Sequence, residues 1–162
     1  MVHKMYKCII LVLFVTSLYP SIVEAASLGG ITSKGNKFYE KGEYDKAIES
    51  YEKALNISPN KPELIYNRAS ALYSNGSFDK ARSGFLEASV FSDKKSEENS
   101  IYNAGNSEYK IAEGAEEKSL EASLTGYKEA LKHYKRAIML DQEDIDAKYN
   151  YEIALKKILK LK

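Results

Sequence analysis

"GNKFYEKGEYDKAIESYEKALNISP" runs from Gly35 to Pro59, and "ASALYSNGSFDKARSGFLEASVFSD", Ala69 to Asp93, lies beneath it without a gap. Gly42 falls on Gly76, Tyr44 on Phe78, Ala47 on Ala81, Tyr51 on Phe85 and Ala54 on Ala88, a constant shift of 34 residues. Self-similarity at such a period marks stacked supersecondary units. From Tyr44 onward the large apolar positions, Ile48, Tyr51 and Leu55, recur at steps of three and four, a helical stripe and not the alternation of a strand. Gly42 and Gly76 punctuate the copies where helices end, because positive φ costs glycine little.

A third copy is present with additions. "IYN" begins at Ile65 and again at Ile101, and "KYN" occupies Lys148 to Asn150, so the steps exceed the period by two and by thirteen residues. The third copy keeps Gly105 and Tyr109 early and Tyr127, Ala130, Tyr134 and Ala137 late. The thirteen extra residues therefore fall within Ile111 to Gly126, and the other two in the polar linker Ser92 to Ser100.

These residues resemble the tetratricopeptide repeat, whose 34-residue unit is a pair of antiparallel helices with small residues at its eighth, twentieth and twenty-seventh positions. Here those are Gly35, Ala47 and Ala54; Ala69, Ala81 and Ala88; Gly105, Ala130 and Ala137, all glycine or alanine. The resemblance implies an all-α fold, an α-solenoid of three helix pairs at about 28–61, 62–95 and 98–144, plus a C-terminal capping helix at 145–162. Glu108 departs from the pattern where an aromatic is usual, and Asp93 and Gln142 where proline is usual. Small residues on facing helices let backbones approach, and aromatics fill the space between successive pairs. One pair cannot bury its apolar face alone, so neighbours stack and the end needs a cover. "EDIDAKYNYEIALKKILKLK" fits that cover: acids at its start and lysines at its end suit the helix macrodipole.

The first 25 residues read as an export signal. Lys4 and Lys7 precede the apolar run Cys8 to Leu18, and Ala25 offers a cleavage point, so a periplasmic or secreted protein of residues 26–162 is expected. Without Lys4, Lys7 and Glu24, basic and acidic residues are equal in number, which argues against nucleic acid as a partner. Residues 26–162 contain no cysteine and only His133, so Cys/His metal sites are excluded, and no cofactor or small-molecule substrate is indicated. His133 has no nucleophile placed beside it, and "GGITSKGNK" lacks the Gly-Lys-Ser/Thr of a phosphate loop. The reading is therefore non-enzymatic, with an accessory domain of an envelope enzyme using the carboxylates near Glu113 to Glu121, or a surface adhesin, as alternatives.

The resemblance places the first helix of each pair along a concave groove. The residues facing it would be Asn36 and Tyr39; Tyr66, Asn67 and Tyr73; Tyr102, Asn103, Asn106 and Tyr109; and Tyr149 and Asn150. An amide offers donor and acceptor to a peptide backbone, and a tyrosine adds apolar area with a hydroxyl. These are the candidate binding residues for a partner protein or extended peptide; the alternative is that they pack and bond within the array. Asn36 and Asn67 also match tetratricopeptide domains that clamp chaperone tails, but that clamp's three basic positions are Thr32, Asn99 and Asn103 here, none of them basic, so a chaperone-tail clamp is not expected. The last repeat, "YNAGNSEYK" with "DAKYNYEIALKK", resembles exported proteins of bacterial aerotolerance (Bat) operons, which implies an envelope scaffold beside membrane proteins with von Willebrand type A domains.

Overall fold

The computed structural model describes residues 27–162. Seven helices follow one another among them: α1 (27–40), α2 (Tyr44–Ile57), α3 (Pro62–Ser74), α4 (Phe78–Phe91), α5 (Lys94–Ala115), α6 (Leu120–Leu140) and α7 (Ile145–Leu161). They pack as a solenoid of the three pairs α1/α2, α3/α4 and α5/α6, with α7 on the last pair. No strand occurs among the described residues. The expected export signal lies outside them.

The repeat positions explain the packing. All nine small residues are buried. Gly35 and Gly105 are needed for close approach: a Cβ would stand 2.7 Å from Tyr51 Cε1 at the first and 2.8 Å from Tyr134 Cε1 at the second. Overpacking of that kind forces shifts worth about 1–3 kcal/mol. Gly42 and Gly76 adopt φ of 73° and 77°. In each turn the glycine N–H donates to the carbonyl of Tyr39 or Tyr73, and the next N–H, of Glu43 or Ser77, reaches back to Phe38 or Leu72. These paired reverse bonds satisfy carbonyls that the helix end would leave open.

One aromatic pair recurs across each hairpin: Tyr39 with Tyr44 at 5.6 Å between ring centroids, Tyr73 with Phe78 at 5.2 Å, and Tyr109 with Tyr127 at 5.0 Å. Pairs of this geometry add about 0.5–1.5 kcal/mol each beyond their burial. Glu108, the departure from the aromatic pattern, is buried and accepts from Arg82 Nη1 at 2.6 Å, so the preceding pair supplies its counter-charge. That carboxylate in turn holds the Arg82 guanidinium above its ordinary pKa.

Both additions to the repeat are helical. The linker Ser92 to Ser100 is not a loop: Asp93 caps α5 by accepting from the Ser96 N–H, and α5 starts at Lys94. The larger insertion lengthens both helices of the third hairpin, so α5 has 22 residues against 13 in α3, and α6 has 21 against 14 in α4. Gly126 lets α6 close on α5, since a Cβ there would meet Ala112 Cβ at 2.8 Å. The second half of α7 packs on this extension through Ile158 and Leu161, beside Ala112, Tyr127 and Leu124. Glu116, just past the end of α5, accepts from Lys157 at 2.7 Å and from the Tyr127 hydroxyl. Lys157 first, then Tyr127, lowers the Glu116 pKa, which makes it a docking group for α7 and not a raised catalytic acid.

Candidate functional site

The first helices, α1, α3, α5 and α7, bring the candidate residues onto one face, where hydrogen bonds divide them into two sets. The first set is a ladder inside the array. Asn103 Nδ2 donates to the Tyr66 hydroxyl at 2.9 Å, and one repeat later Asn150 Nδ2 donates to the Tyr102 hydroxyl at 2.9 Å. The tyrosine of one unit thus meets the asparagine of the next. Asn36 Oδ1 accepts from Tyr51 at 2.8 Å, and Asn106 Oδ1 accepts from Tyr134 at 2.9 Å. Asn106 Oδ1 also accepts from Asn150, and its Nδ2 donates to Asn103 Oδ1 at 3.2 Å. In the middle unit Ser70 and Phe85 replace this asparagine–tyrosine pair, and Ser70 bonds the Tyr66 carbonyl instead.

The second set is free. Among the described residues, the Asn67 amide and the Tyr73, Tyr109 and Tyr149 hydroxyls have no hydrogen-bond partner within the chain. Tyr39, 37% exposed, shares a hydrogen bond at 3.2 Å between its hydroxyl and that of Ser74. Two clefts hold Asn67, Tyr73, Tyr109 and Tyr149. One, of about 290 Å³, lies at the start of α3 and α5 and is lined by Tyr66, Asn67, Asn99, Glu63 and Asp93. The other, of about 270 Å³, lies between α3, α5 and α7 and is lined by Tyr73, Tyr109, Lys110, Tyr149, Asn150 and Ile153, together with Asn106 and Tyr134. Burial raises the pKa of Tyr73 and Tyr109, so both stay protonated donors across the ordinary pH range. Lys110 pairs with Glu113 at 2.7 Å, which raises its pKa and keeps it cationic.

Lys110, one residue past Tyr109 on α5, lines the cleft between α3, α5 and α7 and was not among the candidate binding residues of the sequence; its place beside Tyr109 is the signal that points to it. His133 has its pKa lowered by burial. No group of three or more His, Cys, Asp or Glu residues is placed to hold a metal among the described residues. No helix among them is long and apolar enough to cross a membrane.

Residues 35–76 match the family model for the TPR repeat. The heat-shock protein cognate (HSC) co-chaperone sgt12 of Aspergillus fumigatus is 35% identical over 105 residues, covering 63% of this chain and 31% of its own length. The Hsp70-Hsp90 organising protein of Plasmodium falciparum is 40% identical over 48 residues, 30% of this chain and 8% of its own. The chain thus spans about a third or less of these relatives. The Sgt2 TPR domain from Aspergillus fumigatus superposes with a TM-score of 0.66 at 27% identity, covering 82% of this chain and 80% of that one. The first TPR of Spaghetti (RPAP3), bound to the HSP90 peptide SRMEEVD, gives 0.67 at 24% identity over 83% and 94%. The fold is a solenoid of tetratricopeptide helix pairs with a C-terminal helix.

These matches correct the expected localisation. The relatives are a heat-shock protein cognate co-chaperone and an Hsp70-Hsp90 organising protein, and the expectation of a periplasmic or secreted protein does not stand against them. The basic start and apolar run that suggested export are a compositional pattern without a structural test, since they precede the described residues. The expected aerotolerance kinship and von Willebrand type A partner receive no support from these relatives.

Proposed function

We propose that this tetratricopeptide-repeat solenoid is a protein-interaction module that binds an extended peptide of a partner protein along its concave groove, in the manner of a co-chaperone. The observation that carries the reading is the free set itself. Asn67, Tyr73, Tyr109 and Tyr149 recur along one face with unpaired polar groups, while the ladder beside them holds the helices at fixed separation. A preorganised row of amide and phenol groups lowers the ordering cost of holding a peptide backbone. Co-chaperone relatives and a peptide-bound neighbour support a peptide as the ligand class.

The chemistry is contact alone, with no bond made or broken. Asn67 pairs with the peptide backbone, and the tyrosines contribute ring area and hydroxyl donors. Titrating the full chain with SRMEEVD tests this: a double Asn67→Ala, Tyr149→Ala variant should bind at least about tenfold more weakly, two lost contacts being worth about 1 kcal/mol or more each. Its helical content should match the parent. Equal affinity of the two proteins would place the ligand elsewhere.

A further inference from the structure

The groove lacks cations at the three positions where the chaperone-tail clamp has them. Thr32 donates its hydroxyl to the Leu28 carbonyl, Asn103 is engaged by Tyr66 and Asn99, and Asn99 is neutral. An acidic peptide such as SRMEEVD would find no charge partner there. The cleft between α3, α5 and α7 differs, because its free groups are donors. The Tyr73, Tyr109 and Tyr149 hydroxyls and the Lys110 ammonium share it, one helix contributing Tyr73, the next Tyr109 and Lys110, and the closing helix Tyr149. Asn106, which also lines it, already accepts two hydrogen bonds at Oδ1 and donates one from Nδ2.

From this donor set we infer that the cleft is a carboxylate site: Lys110, with the Tyr73, Tyr109 and Tyr149 hydroxyls, holds a carboxylate of the bound peptide, one step along the groove from the clamp positions. This rests on the groove reading above. The Lys110–Glu113 pair does not block it, because both side chains are about 40% exposed, at 41% and 42%. Such a pair is held weakly and can be shared with a ligand. Phenol donors in a partly buried cleft strengthen a charge-assisted bond that would be screened on an open surface. A neutral peptide would use the groove without this contact.

The test is calorimetric titration of the full chain and its Lys110→Gln variant with three probes: SRMEEVD as the free acid, the same peptide C-terminally amidated, and SRMQQVN as the free acid. Lys110→Gln should weaken the free-acid SRMEEVD about tenfold or more, as loss of one charge-assisted hydrogen bond does. That penalty should fall below about twofold for whichever altered peptide lacks the contacting carboxylate, which separates the chain terminus from the acidic side chains. A Tyr149→Phe variant, which removes one hydroxyl from an exposed ring, should reproduce part of the effect. If Lys110→Gln binds all three peptides as tightly as the parent, the carboxylate site is wrong while the groove reading stands. If the parent binds none of them, both fall.

Discussion

Asn67 and Asn103 occupy the same position of successive repeats, yet they do different things. Asn103 bonds Tyr66 and Asn106 within the array, whereas Asn67 has no partner among the described residues. Each internal bond is worth about 1 kcal/mol net, and a domain of this size loses about 2–4 °C of Tm per kcal/mol. Asn103→Ala should therefore lower the Tm by about 4–8 °C, while Asn67→Ala leaves it within about 1 °C; equal losses would erase the distinction. The resemblance to the tetratricopeptide repeat implied that both asparagines face the groove. It did not show which amide a neighbouring tyrosine reaches, because that depends on a spacing between pairs set by the packing of Ala104 on α5 against Ala81 and Phe85 on α4. The Asn36–Tyr51 and Asn106–Tyr134 pairs against Ser70 and Phe85 were visible as a substitution pattern, and only the hydroxyl–amide distances give it meaning.

Helix boundaries were legible where the chemistry is local. Gly42 and Gly76 end helices as their φ freedom requires, and Pro62 opens α3. The 13-residue insertion was located by arithmetic on the repeat, but its conformation was not. "IAEGAEEKSLEASLTG" carries Ala, Glu, Lys and Leu that favour helix, two glycines that do not, and no aromatic to anchor a period. Tertiary packing decides it, through Ala112 against Gly126 and Ile158 against Tyr127.

The Glu116–Lys157 contact at the extension gives a pH test of how α7 is held. The Glu116 pKa is depressed in the folded state, so its stabilisation is full above the ordinary carboxylate value near about 4.3 and fades as pH falls through the lower folded value. Glu116→Gln should melt about 3 °C below the parent at pH 7, from loss of roughly 1 kcal/mol in a partly exposed pair. That gap should narrow as pH falls below the ordinary carboxylate range. A gap that stays constant across this range would mean that the carboxylate charge does not hold the helix.

At the scale of the whole molecule, three stacked pairs and a closing helix place α1, α3, α5 and α7 side by side, so residues far apart in sequence form one continuous face. Tyr73 and Tyr149 meet in one cleft only because the solenoid curves α7 back beside α3 and α5. The longer third hairpin makes the closing helix more than a cover, since α7 docks along the extension and carries Tyr149 and Asn150 to the groove. The central claim is that this concave face binds an extended peptide. Its most direct test is a nitrogen–proton correlation spectrum of the full chain with and without SRMEEVD, using side-chain amide and backbone signals. The account predicts that the largest shifts fall on Asn67, Tyr73, Tyr109, Lys110 and Tyr149. Shifts confined to the outer helices α2 and α4, or none at saturating peptide, would contradict it.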